Sequence, residues 1–283
     1  MVKALEAMVR GGRLTSVAAR KAAVAAPAHW RALKEQAAAD VDLTGMSMRE
    51  QFLNGRLREI DGWLSADALF SIEALADQQR SDGVDGGVAE IGVHHGQLLI
   101  FLALLVEPQG RAVGYDLFDR QSENVDGSGS GDQQVVLDHA ASFGLPADRF
   151  ELVQTNSLDI ESGDVIADLG DPCRLFSVDG GHTPEITAND LSIASGAIAE
   201  QGVVILDDVF SPMWPGVGEG LALFMAENHD ALVPFGMAGN KTFLCRPPLH
   251  GHYLAVLHNL APHFWTRSDH FYGSSIRVLL DPA

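Results

Sequence analysis

Apolar runs along this chain end abruptly in acidic, glycine or histidine residues and alternate with segments of helical period. Three stand out: Val88-Ala-Glu-Ile-Gly-Val-His-His-Gly96, Phe176-Ser-Val-Asp-Gly-Gly-His182 and Val204-Ile-Leu-Asp-Asp208. Buried parallel strands read as near-continuous hydrophobic runs, and open α/β sheets bind ligands beyond the carboxyl ends of their strands. The pattern predicts strands at 88–93, 111–117, 150–156, 173–179 and 202–209, with helices at 97–106, 133–143, 184–199 and 218–229. Such alternation implies right-handed crossovers and a parallel sheet covered on both faces. The tail departs from it. Ala231-Leu-Val-Pro-Phe-Gly-Met237 and Lys241-Thr-Phe-Leu-Cys245 are separated only by Ala238-Gly-Asn240, too few residues for a helix. These two strands are expected to form an antiparallel hairpin.

Upstream, residues 1–39 are Ala-rich with helical spacing, interrupted at Gly11-Gly12 and Pro27. A second helical region is expected from about Met48 to Gln79, with a break near Gly62 to Ser65. The turn-rich Ser81-Asp-Gly-Val-Asp-Gly-Gly87 then separates an N-terminal helical arm or lid, residues 1–80, from a catalytic domain, residues 81–283. The Gly/Ser-rich stretch Ser122 to Asp132 follows the second strand, so it is expected at the rim of the site as a flexible loop or lid.

Composition narrows the class. The chain has 283 residues, 46% of them hydrophobic, enough for one sizeable core. Its net charge of −19 argues against nucleic acid, which is bound through clustered Lys and Arg. Five basic residues, Lys3, Arg10, Arg13, Arg20 and Lys21, face Glu6 alone in the arm, a pattern suited to a solvated helix, a contact with an acidic second subunit or a transit peptide. No 18-residue apolar run occurs, so no membrane span is expected. The expectation is a soluble, cytoplasmic homo-oligomer. Cys173 and Cys245 both fall in predicted strands and are expected as buried thiols.

The strand ends carry the candidate chemistry. In Glu90-Ile-Gly-Val-His-His-Gly96, Gly92 and Gly96 allow a tight turn and close approach of a ligand, while Glu90 can accept hydrogen bonds or pair with a cation. His94 stands where G-x-G-x-x-G requires its second glycine, which counts against a nicotinamide cofactor. About 20 residues on, Asp116 closes the second strand, where an acid can bind ribose hydroxyls. Thr155-Asn-Ser157 closes the third with small polar groups suited to an adenine edge.

Asp179 closes the fourth strand, and His182 follows just before Thr183-Pro184, a helix-start signal. His182 is the candidate general base, because an unperturbed imidazole titrates near pH 6.5; the alternative is a histidine bonded within its own turn. Asp207 and Asp208 end the fifth strand. With Asp179 they offer three oxygen ligands to a hard divalent cation, since three acids so close are costly unless neutralised. Near the same rim, Trp214 is a candidate for stacking on a sugar or plugging the core, and Asn240-Lys241 for closing the site from the side. His263, Trp265, His270 and Tyr272 form a polar-aromatic stretch expected to pack or to contact a second subunit, with lining of the acceptor pocket as the alternative. The histidines of Leu249-His-Gly-His252 are given no ligand role.

Together, the E-x-G-x-x-x-G turn, the acid after strand two and the terminal hairpin resemble class I S-adenosylmethionine-dependent methyltransferases over roughly residues 85–246. The resemblance implies an α/β, Rossmann-like sheet of parallel strands with a C-terminal antiparallel hairpin, here behind an N-terminal helical extension. It implies that Glu90, Gly92 and Gly96 hold the methionine end of S-adenosylmethionine, Asp116 the ribose and Ser157 the adenine side. The D-G-G-H turn, the T-x-E that follows and the D-D strand end look like the narrower group of sugar and natural-product O-methyltransferases, with cephalosporin-hydroxylase-like relatives. That likeness implies Mg²⁺ at Asp179, Asp207 and Asp208, and a base at His182. Asp207 stands where some relatives carry Glu. The expected activity is metal-assisted methyl transfer to a hydroxyl of a sugar or glycosylated metabolite. The alternatives are a hydroxylase-like metal oxidoreductase on the same sheet and a non-catalytic binding scaffold.

Overall fold

The computed structural model describes residues 43–106, 108–228, 230–261 and 264–280. The basic arm, its Gly and Pro breaks and His263 lie outside the described residues, and so does any contact they make.

Helix α1 (Met48–Leu53) starts on a capping box between Ser47 and Glu50. A 3-10 turn at Arg56–Glu59 and an irregular linker through Gly62 lead to α2 (Ala66–Ser81). The break expected near Gly62 is therefore longer, running from Asn54 to Ser65. Arg49 clamps the two helices together through Glu73 and Asp77.

The alternating core then follows. Strand β1 (Val88–Ile91) leads into α3 (Gln97–Val106), β2 (Ala112–Asp116), α4 (Gln133–Ser142), β3 (Phe150–Gln154), α5 (Ser162–Leu169) and β4 (Cys173–Val178). Next come α6 (Pro184–Ala197), β5 (Ile198–Leu206) and α7 (Pro215–Glu227). The chain ends in β6 (Val233–Ala238), β7 (Lys241–Cys245), α8 (His250–Asn259), β8 (Trp265–Phe271) and β9 (Ser274–Leu280). Helix α3 reads Gln-Leu-Leu-Ile-Phe-Leu-Ala-Leu-Leu-Val and is buried along its whole length, as a helix that is apolar all round must be.

Among the described residues, nine strands form one sheet in the order β3-β2-β1-β4-β5-β7-β6-β9-β8. The first five run parallel, and β7 joins them antiparallel, pairing with both β5 and β6. The predicted α/β sheet with its terminal hairpin is present. Sequence reading missed α5, α8 and a second hairpin, β8–β9, which attaches through β9 lying parallel to β6. Apolar side chains pack on both faces, giving two core clusters separated by the sheet. Cys173 and Cys245 are buried free thiols, as expected. Among the described residues, no helix is long and apolar enough to cross a membrane.

The order reverses between β1 and β4, whose chains leave toward opposite flanks. A crevice must open there, at the carboxyl ends of these strands.

Candidate active site

That crevice is a cleft of about 660 Å³. Glu90, Gly92, Asp116, Ser157, Asp179, His182, Asp207 and Asp208 all line it. Gly96 is the exception among the expected residues. It starts α3 with φ +87°, and a Cβ there would lie 2.8 Å from Val136 Cγ1, so it serves the turn rather than the cleft. Gly92 meets a harder limit: a Cβ would fall 1.9 Å from the Asp179 carbonyl oxygen. Strands β1 and β4 can approach this closely only with glycine at that position.

On the β1–β2 side, the Asp116 carboxylate is met by backbone. Its Oδ2 accepts from the N–H groups of Val93 at 2.7 Å and His94 at 2.9 Å, and its Oδ1 accepts from Phe118 N–H at 2.7 Å. A carboxylate has roughly four acceptor sites, so one remains for a ligand hydroxyl. Glu90 is only 2% exposed, and its Oε2 lacks a hydrogen-bond partner. Burial pushes its carboxyl up to about 8, against the opposing pull of the Lys241 ammonium. A buried acid with an orphaned oxygen on a ligand cleft suits a cationic group of the ligand. Asn189 Nδ2 donates to the Ser157 carbonyl at 3.1 Å and, at 3.2 Å, to Oδ1 of Asp190, a buried acid on α6 that sequence reading passed over. Burial raises the Asp190 carboxyl to about 7, and its Oδ2 is also unpartnered.

The β4–β5 side is built differently. Strand β5 ends at Leu206, and Asp208 adopts φ +58°, a left-handed conformation that Asp tolerates better than most residues. Lys241 is 4% exposed, and its Nζ donates to Asp207 Oδ2 at 2.6 Å and to Asp179 Oδ2 at 3.2 Å. Burial alone would lower the ammonium pKa, but the two carboxylates outweigh it and hold it above the ordinary lysine range. Asp179 is pushed well above the carboxylate range by burial and by Asp207, with Lys241 opposing. Asp208 is raised for the same first two reasons.

His182 follows β4 on the turn that Thr183 and Pro184 convert into α6; Thr183 caps the helix by accepting from Ile186 N–H. Its Nε2 lies 4.0 Å from Asp179 Oδ1 and 3.9 Å from Asp208 Oδ2. Trp214 stacks on the imidazole, with ring centroids 4.3 Å apart and an interplanar angle of 21°. The tryptophan therefore packs on the candidate base and also lines the cleft. The Ser122–Asp132 segment is also more structured than its composition suggests. Asn124 and Asp126 close tight turns within it, and Asp126 reaches His182. Trp265 and His270 sit on the β8–β9 hairpin with Tyr272 in its turn, and none of them lines the cleft. Neither does His250 or His252.

The oxygen-rich donor set suits a hard cation, but the three acids are not equally available. Asp207 is engaged at Oδ2 by Lys241 and at Oδ1 by the Asp208 N–H. Asp179 Oδ1 and Asp208 Oδ2 face the space before His182, and one ammonium among three carboxylates leaves that end negative. Among the described residues, three imidazole or carboxylate groups converge within 4.8 Å only at Asp61, His94 and His95, at the mouth of the cleft.

Lys241, Asp126 and Asp190 are the site residues that motif reading assigned no role or underused. A lysine opening the otherwise apolar strand Lys-Thr-Phe-Leu-Cys was a signal for the first of them.

Comparison with known proteins agrees with this architecture. Residues 89–209 match the Methyltransf_24 family model, described as a methyltransferase domain. The O-methyltransferase NovP superposes with a TM-score of 0.54 at 13% identity, covering 80% of this chain and 97% of that one. CalS11, a TDP-rhamnose 3′-O-methyltransferase of calicheamicin biosynthesis, gives 0.49 at 20% identity, covering 83% and 97%. An O-methyltransferase from Bacillus cereus, solved with S-adenosylhomocysteine, gives 0.49 at 15% identity, covering 77% and 96%. No curated protein sequence matches significantly. Residues 89–209 thus match a methyltransferase domain, and the chain shares the fold of the O-methyltransferase NovP.

Proposed function

We propose that the protein transfers a methyl group from S-adenosylmethionine to a hydroxyl of a sugar or glycosylated metabolite, with His182 as general base. The observation that carries this reading is His182 Nε2, set in the cleft between Asp179 Oδ1 and Asp208 Oδ2. The TDP-rhamnose acceptor of CalS11 supports the acceptor class.

Glu90 and Gly92 would hold the methionine end of the cofactor, Asp116 a ribose hydroxyl and Ser157 the adenine side, with Gly96 shaping the turn between them. When bound, S-adenosylmethionine supplies an electrophilic methyl on a positive sulfonium. Asp179 and Asp208 would hold a divalent cation such as Mg²⁺, with Asp207 behind them, and a bound cation lowers the pKa of a hydroxyl beside it. The remaining work falls to the chain. His182 Nε2 accepts the hydroxyl proton as the oxygen forms its bond to the methyl carbon and the carbon–sulfur bond breaks. Trp214 fixes the plane of the imidazole, and the cleft holds both reactants in line, which supplies much of the acceleration.

The test is a transfer assay with labelled S-adenosylmethionine and a panel of nucleotide sugars and glycosides. His182→Ala is expected to lower the rate by roughly 10²–10⁴-fold while cofactor affinity stays unchanged. Cofactor binding without transfer to any member of the panel would overturn the acceptor class.

A further inference from the structure

We propose that Asp126 is the positioning residue of His182. The loop that lies over the cofactor seat delivers its carboxylate, which keeps the imidazole proton on Nδ1 and leaves the Nε2 lone pair facing the cleft. The inference rests on the reading of His182 as the base.

Asp126 Oδ2 accepts the His182 backbone N–H at 2.6 Å and lies 3.1 Å from the ring Nδ1. A neutral imidazole has one donor and one acceptor nitrogen, and an ionised carboxylate only accepts. Facing Asp126, Nδ1 must therefore carry the proton. Burial would raise the Asp126 carboxyl, but bonds from the N–H groups of His182 and Ser128 outweigh it and hold it below the ordinary range. The side chains of His182 and Asp126 are only 10% and 11% exposed, so water competes little for this bond. Trp214, stacked on the ring, opposes the flip that would exchange the two nitrogens.

The loop is built to hold the carboxylate still. Asp126 Oδ1 accepts Ser128 N–H at 2.7 Å, while Asn124 accepts Gly127 N–H at 3.0 Å and donates to the Ser128 carbonyl at 2.6 Å. Five residues beyond Asp126, Gly131 lies so close to Asp116 that a Cβ there would fall 2.9 Å from Asp116 Oδ1. Asp132 N–H then donates to the His94 carbonyl at 3.3 Å. One short segment thus touches both the ribose-side acid and the base. A carboxylate on Nδ1 with Nε2 free toward the substrate is the arrangement that holds a catalytic histidine in its working tautomer.

The tautomer can be read without an acceptor. In ¹⁵N-histidine-labelled protein, long-range ¹H–¹⁵N correlations show which ring nitrogen is protonated, and comparison with His182→Asn assigns the His182 signals. The expected result is an imidazole proton carried on Nδ1 in the wild type, with the Nδ1–H share reduced at least two-fold in Asp126→Ala. Asp126→Asn keeps the side-chain volume should the alanine variant fail to fold, and is expected to shift the tautomer less, in the same direction. A wild-type ring protonated at Nε2, or a distribution unmoved in whichever variant folds, would overturn the proposal. S-adenosylhomocysteine titrated into the same samples tests the cofactor reading separately. Loss of its binding would remove the methyl-transfer account and leave the tautomer result standing.

Discussion

The two halves of the cleft use the same residue type in opposite ways. On the β1–β2 side, Asp116 is surrounded by three backbone N–H donors whose positions are fixed by the turn after β1 and by the end of β2. On the β4–β5 side, Asp179 and Asp207 share one buried ammonium from the distant β7, with Asp208 next to Asp207 in the chain. Fixed backbone dipoles satisfy an acid locally, whereas a shared cation leaves the group electrostatically incomplete. The first arrangement makes a rigid seat. The second leaves a negative centre ready for a proton, a metal ion or a charged reactant. This division matches the division of labour proposed above, with cofactor held on one side and proton transfer on the other.

Removing the cation tests the comparison hardest. Lys241→Met leaves Asp179 and Asp207 buried without their partner, and the expected loss is about 3–5 kcal/mol of stability in urea denaturation. Adding Asp207→Asn should restore part of that loss. A Lys241→Met variant as stable as the wild type would mean that the acids do not depend on the ammonium.

A smaller effect is expected at Glu90, which sits between the halves. Its folded carboxyl, near 8, lies above the ordinary value of 4.5, so folding favours the protonated form. This contribution to stability is full below pH 4.5 and is lost as the pH rises through about 8. Glu90→Gln should therefore gain on the wild type across that window, on the order of 2 kcal/mol or more, visible as a melting temperature that falls less from pH 5 to 8. A parallel fall in both proteins would place the pH dependence elsewhere.

The smallest effect is expected on the satisfied side. Asp116→Asn keeps the shape but loses acceptor sites for N–H groups, and cofactor affinity should fall by about 1–2 kcal/mol, roughly ten-fold. A loss as large as that of Lys241→Met would erase the contrast between the two halves.

Much of this was legible in the sequence, for identifiable reasons. Strands β1 and β4 and the second half of β5 are buried on both faces, so they read as largely apolar runs, and their acidic ends follow directly. The β6–β7 hairpin was visible because Ala238-Gly-Asn240 leaves no room for a crossover. Strand β8, Trp-Thr-Arg-Ser-Asp-His-Phe, is a largely solvent-facing edge strand without apolar alternation, so its pattern gave no signal. Helix α5, at eight residues with two aspartates, was too short to show a helical period. Asp126 read as part of a flexible linker because Gly and Ser surround it, while its partner lies 56 positions away in the chain. Lys241 looked like a charge at the mouth of a strand. Only the pairing of β7 beside β5 turns it into the counter-ion of two aspartates.

The central claim is tested most directly by isothermal titration of the purified protein with S-adenosylmethionine, once with Mg²⁺ and once with EDTA. The account predicts saturable one-site binding in both conditions, since the seat at Glu90, Gly92 and Asp116 is made by the chain itself. No binding in either condition would contradict it.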